Sequence, residues 1–273
     1  MIKNHKIALF GNSGDEKANI VALRVHKYAE EFGFDVTETE ECVGDASVAI
    51  CLGGDGTFLD VASKVRTNDV LLVGINTGHL GFLTNYGAEE VRELFEDLLA
   101  ENYDVTERSV LQVVSDDILS DGYPYALNEV AILKHDVSSM ITIRAEIDDK
   151  YLTTYQADGL IVSTPTGSTA YSLSVGGPVI VPTLDVMSMA PVAPHGLNVR
   201  PIVIDGQSVV TLTIESRSGS FLIALDGRSH SVADEMTVRI RKAPYTVKVI
   251  SKKNRNFFAT LRGKLMWGKG QRE

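Results

Sequence analysis

Leu52-Gly53-Gly54-Asp55-Gly56-Thr57 is the stretch on which the fold turns. Apolar residues from Val48 to Leu52 run into two glycines, a carboxylate, a third glycine and a threonine, and helix-like sequence follows from Phe58. This is the pattern of a strand feeding a tight turn into a helix N-terminus, where main-chain N–H groups and the helix dipole favour a phosphate group. An ordinary glycine turn between strand and helix is the alternative, and these residues alone do not separate the two. Asp55 sharpens the question, because a carboxylate beside bound phosphates is repelled by them unless a metal ion or a proton-transfer role keeps it there.

Upstream, Lys6 to Phe10 reads as a buried strand and Gly11 to Gly14 as the turn after it. A helix follows, with Ala18, Val21, Ala22, Val25, Tyr28, Ala29 and Phe32 at helical spacing, Ser13 or Asp15 as cap and Gly33 as stop. Phe34 to Thr39 reads as a second strand. Downstream, the helix from Phe58 to about Val65 leads to the apolar strand Val70 to Ile75, and Asn76 to Leu83 sits at its carboxyl end, where open α/β sheets bind ligands. Gly78 and Gly81 let the backbone approach a ligand, Phe82 and Leu83 can pack on an aromatic base, and His79 reads as a turn histidine rather than a catalytic group. Val91, Leu94, Phe95, Leu98 and Leu99 mark one more helix. Strands apolar on both faces and alternating with helices predict βαβ units and a parallel sheet.

After about Tyr103 the pattern changes to successive strands: Val105 to Ser115, Tyr125 to Leu133, Met140 to Ile147 and Tyr151 to Gln156, with Asp148-Asp149-Lys150 as a hairpin turn. More are expected at Val199 to Ile204, Val209 to Glu215, Ser220 to Leu225, Glu235 to Ile240 and Tyr245 to Ser251. The fold class is therefore an N-terminal α/β domain, residues 1–103, followed by a predominantly β domain, residues 104–253. The tail from about 254 to 273 is expected to pack back on the first domain through Phe257, Phe258, Leu261, Leu265 and Trp267.

Composition narrows the partners. A chain of 273 residues with 44% hydrophobic and 23% charged residues can bury a real core. Its net charge of -10 disfavours non-specific binding to nucleic acid or anionic membranes, so a small anionic ligand needs help from turn N–H groups, helix ends or a divalent metal. Cys42 and Cys51 have no His/Cys cluster beside them and read as buried free thiols in a reducing compartment. Met1 to His5 is not a secretory signal, which with the thiols predicts a cytoplasmic address. The uncharged run between Asp158 and Asp185 is too rich in Gly, Pro, Ser and Thr to be a membrane span.

Two further stretches carry chemistry. Asp158-Gly159 through Thr166-Gly167-Ser168-Thr169-Ala170-Tyr171-Ser172-Leu173-Ser174, ending at Gly176-Gly177-Pro178, is a strand and turn rich in hydroxyls with no Lys or Arg. Hydroxyls and turn amides of this kind bind ribose and phosphate oxygens, and Tyr171 can lie against a base, although a Ser/Thr-rich surface loop is the bland alternative. Asn128-Glu129 supplies an amide and a carboxylate that can hold two ribose hydroxyls, but on one strand they point to opposite faces unless a bend intervenes. Asp226-Gly227 reads only as a turn dipeptide.

Taken together, the glycine turn at Gly53 to Thr57, the segment Thr77 to Leu83, Asn128-Glu129 and the long motif from Asp158 to Pro178 closely resemble the NAD kinase family across nearly the whole chain. The first motif is shared with lipid kinases, whereas the long one is specific. The resemblance implies a Rossmann-like N-terminal domain, a β-rich C-terminal domain and an active site between them. It implies that Asp55 is the general base for the adenosine-ribose 2′-hydroxyl of NAD, and that Gly53, Gly54, Gly56 and Thr57 cradle the phosphoryl donor, ATP or polyphosphate. The divalent ion, Mg, would have no dedicated protein site and would travel with the nucleotide phosphates. The NAD-binding set would be Gly56, Phe82, Leu83, Asn128, Glu129, Gln156, Asp158, Thr166, Thr169, Ala170, Tyr171, Ser172, Leu173, Ser174, Ala190, Val192 and Asp226. Gln156, Ser139 and Ser218-Gly219 depart from residues common in the family, which leaves NAD against NADH preference open. A homo-oligomer, dimer or tetramer, is also implied. A lipid kinase and a non-catalytic nucleotide sensor are the competing readings; the acidic chain argues against the first and Asp55 beside its glycines against the second.

Overall fold

The computed structural model describes residues 2–11, 14–65, 69–78, 81–114, 122–136, 139–253 and 256–268, so the readings of Ser13, His79 and Leu80 lie outside the described residues. The chain divides into two compact units, Met1–Glu107 with Val247–Glu273, and Arg108–Thr246. Strands run through both divisions, Tyr103–Val114 at the first and Thr237–Lys252 at the second. Hydropathy therefore shows no break at these points.

The first unit begins with β1 (Lys6–Gly11), α1 (Glu16–Phe32), β2 (Asp35–Glu38), β3 (Val48–Leu52), α2 (Asp55–Val65), β4 (Leu71–Asn76), the short β5 (Tyr86–Gly87) and α3 (Val91–Ala100). β4, β3, β1 and β2 lie side by side in that order and all parallel, with Ile50 of β3 between Leu9 and Val73. Every residue of β3 and β4 is buried, which is why their sequences are continuous apolar runs rather than alternating ones. The Asp15 carboxylate caps α1 by accepting the Lys17 N–H at 2.9 Å, and Gly33 ends it. Ala18, Val21, Val25 and Ala29 form its buried stripe. Each fully buried Val, Ile or Leu here contributes about 1.5–3 kcal/mol by leaving water.

Three expectations for this unit are corrected. α2 starts at Asp55, not Phe58. Glycine's low helix propensity hides the first turn from a periodicity reading, whereas an acidic residue at a helix start is favoured by the dipole. Cys42 is exposed, and only Cys51, inside β3, is buried, where burial pushes its thiol up to about 12. The tail forms α5 (Phe257–Leu265), but among its expected core residues only Leu261 is buried; Phe258 and Trp267 are exposed. A nine-residue helix offers a single stripe, and Phe258 lies about 100° around from Phe257.

The second unit is built from β6 (Tyr103–Val114), β7 (Tyr125–Ala126), β8 (Glu129–Lys134), β9 (Ile141–Ile147), β10 (Lys150–Ala157), β11 (Gly159–Ser163), the one-turn α4 (Tyr171–Ser174), β12 (Val186–Val192), β13 (Ile202–Asp205), β14 (Val210–Glu215), β15 (Ser220–Leu225), β16 (Arg228–Ala233) and β17 (Thr237–Lys252). One antiparallel sheet runs β13-β12-β11-β8-β15-β16, and β10-β9-β14 pair with the first part of β17 in another. Inward residues of both, among them Val130, Ile132, Leu160, Ile143, Leu212 and Phe221, share one core. β9 and β10 are joined through Asp148 and Asp149 at φ 51° and 60°, the left-handed pair that a tight hairpin of this hand requires. In the first unit the last part of β17 returns to pair with β4, Lys248 opposite Leu71.

Here the corrections concern continuity. The strand expected over Tyr125 to Leu133 is broken between Ala126 and Glu129, and the two strands expected at Glu235 to Ile240 and Tyr245 to Ser251 are one of 16 residues. β16 escapes a pattern reading because Arg-Ser-His-Ser-Val-Ala lacks apolar alternation.

Candidate active site

In the first unit the β3–α2 turn delivers Asp55 into the first helical turn, behind Gly53 and Gly54. Its carboxylate is gripped by main chain: Oδ2 accepts the Phe82 N–H at 2.8 Å and Oδ1 accepts the Leu83 N–H at 3.1 Å. One donor per oxygen leaves acceptor capacity on each. The donor segment is itself pinned, because the buried Thr84 Oγ1 accepts the Gly81 N–H at 2.9 Å and the Asn76 side-chain amide at 3.0 Å, while Asn76 Oδ1 accepts the Gly78 N–H at 2.6 Å. Gly81 lies directly against the carboxylate, and a Cβ there would overlap Asp55. The close approach expected of this glycine is thus to Asp55. Phe82 in turn meets Phe257 of α5, ring centroids 6.5 Å apart.

In the second unit the break between β7 and β8 is held by Asp226. Its Oδ2 accepts the Leu127 N–H at 2.6 Å, and its Oδ1 accepts those of Asn128 and Glu129 at 2.8 and 3.1 Å. The loop after β11 packs onto the same bend: Thr164 N–H and Ser163 Oγ donate to the Asn128 carbonyl at 2.9 and 3.2 Å, and Thr164 Oγ1 donates to that of Leu127 at 2.6 Å. Gly167 fits against the Asn128 main chain, where a Cβ would overlap it. The Tyr171 N–H, first in α4, donates to the Glu129 carboxylate. Burial pushes the Glu129 carboxyl up to about 7, with repulsion from Asp226 adding to it and the Tyr171 N–H opposing it. Burial also raises the Asp226 carboxyl, against its three N–H donors and nearby Arg228.

The hydroxyl-rich loop therefore contains two populations. Ser163, Thr164 and Ser168 spend their hydroxyls on main-chain carbonyls, a folding role. Thr166 Oγ1 and Ser172 Oγ, together with Asn128 Oδ1 and Glu129 Oε2, are buried with no hydrogen-bond partner among the described residues. Four orphaned polar atoms around one bend are costly in a folded protein and mark a place for polar ligand groups. Of the other expected residues, Thr169 donates to the Thr166 carbonyl at 3.4 Å, Ala170 and Leu173 are half-buried, and Tyr171 and Ser174 are exposed. Ala190 and Val192 lie on β12 opposite Ile161 and Gly159. Asp158 forms an ion pair with Lys134 at 2.7 Å, and Gln156 lines a cavity of about 410 Å³ with Thr142, Glu215 and Arg217.

Sequence reasoning passed over Thr84, which with Asn76 holds the Asp55 donors, and over Lys134. Only their type, polar residues bordering an apolar strand, hinted at them. Among the described residues no group of three or more His, Cys, Asp or Glu is placed to hold a metal ion, and no helix is long and apolar enough to cross a membrane.

Residues 37–103 match the ATP-NAD kinase N-terminal domain and residues 127–252 the ATP-NAD kinase C-terminal domain. An NAD kinase of Bacteroides fragilis is 46% identical over 98% of this chain and 99% of its own length, and one from Porphyromonas gingivalis is 45% identical over 80% of this chain and 75% of its own. Among solved structures, yeast NADH kinase complexed with NADH superposes with a TM-score of 0.86 at 20% identity, covering 98% of this chain and 89% of that one. An NAD kinase from Archaeoglobus fulgidus in complex with ATP gives 0.80 at 25% identity, over 96% and 98%. With both domain matches in chain order and near-full-length identity of this size, the chain belongs to the NAD kinase family.

Proposed function

We propose that this chain transfers the terminal phosphoryl group of ATP to the 2′-hydroxyl of the adenosine ribose of NAD, giving NADP and ADP, with Asp55 as general base. The observation that carries the reading is the grip on Asp55: two main-chain N–H groups fix both oxygens and leave lone pairs for a substrate hydroxyl. The hydroxyl oxygen attacks the γ-phosphorus, the bond to the β-bridging oxygen breaks, and the hydroxyl proton passes to Asp55. Gly54 to Thr57, at and just before the first turn of α2, offer N–H groups to the donor phosphates, whereas the Gly53 N–H is donated to the Ile75 carbonyl at 3.0 Å and holds the turn. Asn128, Glu129, Thr166 and Ser172 supply the unpartnered polar atoms for NAD, with Tyr171 beside them.

The divalent ion in this reading would be carried by the phosphate oxygens of the nucleotide rather than by a protein cage. When bound, such an ion, Mg in this reading, neutralises charge spreading over the transferring group. Polyphosphate as an alternative donor, a cytoplasmic address and a homo-oligomer of two or four copies belong to the same proposal.

Asp55→Asn tests it. The amide keeps the size and loses the base, so kcat falls by about 10²- to 10⁴-fold while NAD binding, followed by calorimetry, is retained. NADP formation from NAD, ATP and magnesium by an Asn variant at the wild-type rate would sink the assignment.

A further inference from the structure

We propose that Asp226 is a positioning residue: its carboxylate gathers three consecutive main-chain N–H groups and so sets the bend that presents Asn128 and Glu129 to NAD. This deepens the reading above and rests on Asn128 and Glu129 binding the dinucleotide.

In an extended strand successive N–H groups point to opposite sides, so three in a row cannot reach one carboxylate unless the chain turns. Those of Leu127, Asn128 and Glu129 all reach Asp226, at 2.6, 2.8 and 3.1 Å, and β7 stops and β8 starts on either side of them. The contact is reciprocal, the Asp226 N–H donating to the Glu129 carbonyl at 3.2 Å. Asp226 has φ 49°, a left-handed conformation that Asp tolerates better than most residues because its short side chain bonds locally. Two residues on, Arg228 donates to the Tyr123 and Tyr125 carbonyls at 3.1 and 2.7 Å and ties down the segment entering the bend.

A carboxylate has about four acceptor sites, and three of these are taken by main chain. Asp226 is thus assigned to shaping the pocket and not to touching the ligand. Asn at this position keeps the left-handed tolerance but replaces one oxygen by a donor, which faces an N–H group it cannot serve.

The experiment compares wild type, Asp226→Asn, Asn128→Ala and Glu129→Gln by steady-state kinetics across pH. Asp226→Asn is expected to raise the KM for NAD by about tenfold or more, with kcat changed much less, as for loss of hydrogen bonds to a charged group. A pH readout separates positioning from mere destabilisation. The Glu129 carboxyl faces the Asp226 carboxylate and the Tyr171 N–H, and Asp226 faces Arg228. Removing the Asp226 charge lets Glu129 ionise more easily, so the pH dependence of NAD binding moves to lower pH, and that movement vanishes in a Glu129→Gln background. If the Asn variant shows wild-type KM and an unshifted profile while Asn128→Ala and Glu129→Gln raise KM, the Asp226 inference fails alone. If those two leave KM unchanged, the parent reading fails with it. Amide hydrogen exchange on the wild-type protein guards against a variant that does not fold: the N–H groups of residues 127–129 should be as protected as those of Val130 to Ile132, and exchange at open-loop rates overturns the proposal.

Discussion

Asp55 and Asp226 are each gripped by consecutive main-chain N–H groups, yet they differ in what is left over. Asp55 takes two donors, one per oxygen, and sits in the first turn of a helix. Asp226 takes three and sits in a left-handed turn beside another carboxyl, Glu129. In the proposed reaction the half-satisfied carboxylate, at a helix start, is the one left able to take a proton. A nearly saturated one is a pin for the backbone. Each grip also depends on a glycine, Gly81 against the Asp55 side chain and Gly167 against the Asn128 main chain, because nothing larger fits at either contact.

If Asp55 is the base proposed above, the largest effect in this comparison comes from moving its carboxylate without changing its chemistry. Gly81→Ala puts a methyl group where the Asp55 carboxylate now lies, so the carboxylate must move. Misplacing a catalytic group by about 1 Å costs on the order of 10²-fold, so kcat should fall by at least that much while circular dichroism shows a folded chain. Retention of wild-type turnover by the Ala variant would mean that the Asp55 geometry is not what limits the reaction.

Charge separates the two grips next. Glu129, raised from 4.5 to about 7, holds its proton more tightly in the folded protein than in the unfolded chain. The sign follows: folding loses stability as pH rises from the unfolded value to about 7, and above that the whole penalty is present, on the order of 3 kcal/mol. Glu129→Gln should flatten that part of the curve and unfold at higher urea than wild type at pH 8, with no such gain at pH 4. An unchanged difference between the two pH values would show that Glu129 does not titrate there. Thr84→Val comes below this. It leaves the Gly81 N–H and the Asn76 amide without the hydroxyl they share, costing about 1–3 kcal/mol in thermal unfolding, and loosens the donors to Asp55.

Much of the first unit was legible because a parallel sheet buried on both faces writes itself as apolar runs ended by glycine turns; Val48 to Leu52 came out to the residue. The place of Asp55 was legible for the same reason, since it interrupts such a turn. The pin was not. Asp226-Gly227 looks like any turn dipeptide, and its partners lie about a hundred residues away, a distance that no local pattern spans. Likewise the hydroxyls of the long loop looked alike in sequence. Only packing separates Ser168, whose hydroxyl is bonded to the Pro165 carbonyl, from Thr166, whose Oγ1 has no partner among the described residues. The tail failed in the opposite direction: its apolar residues fit a core pattern, but one short helix has too narrow a stripe to bury them all.

The smallest effect belongs to a third carboxylate, which tests whether main-chain N–H groups are what make the other two matter. Asp69 bridges the ammonium groups of Lys3, at 2.6 Å, and Lys248, whose residue pairs with β4. Hydrogen bonding to Lys248 and then to Lys3 holds its carboxyl down at about 2. Whatever stability this adds is present above the ordinary carboxylate range and is lost as pH falls through about 2. All three side chains are exposed or half-exposed, so water and salt screen the attraction and two long lysines lose freedom to make it. Asp69→Asn should therefore leave turnover unchanged and shift the unfolding midpoint less than Thr84→Val does, the more so at high salt. If Asp69→Asn and Asp226→Asn instead lower the unfolding midpoint equally, a pair of lysine ammonium groups is the equal of three main-chain donors, and the contrast between Asp55 and Asp226 has to be sought in burial rather than in hydrogen bonding.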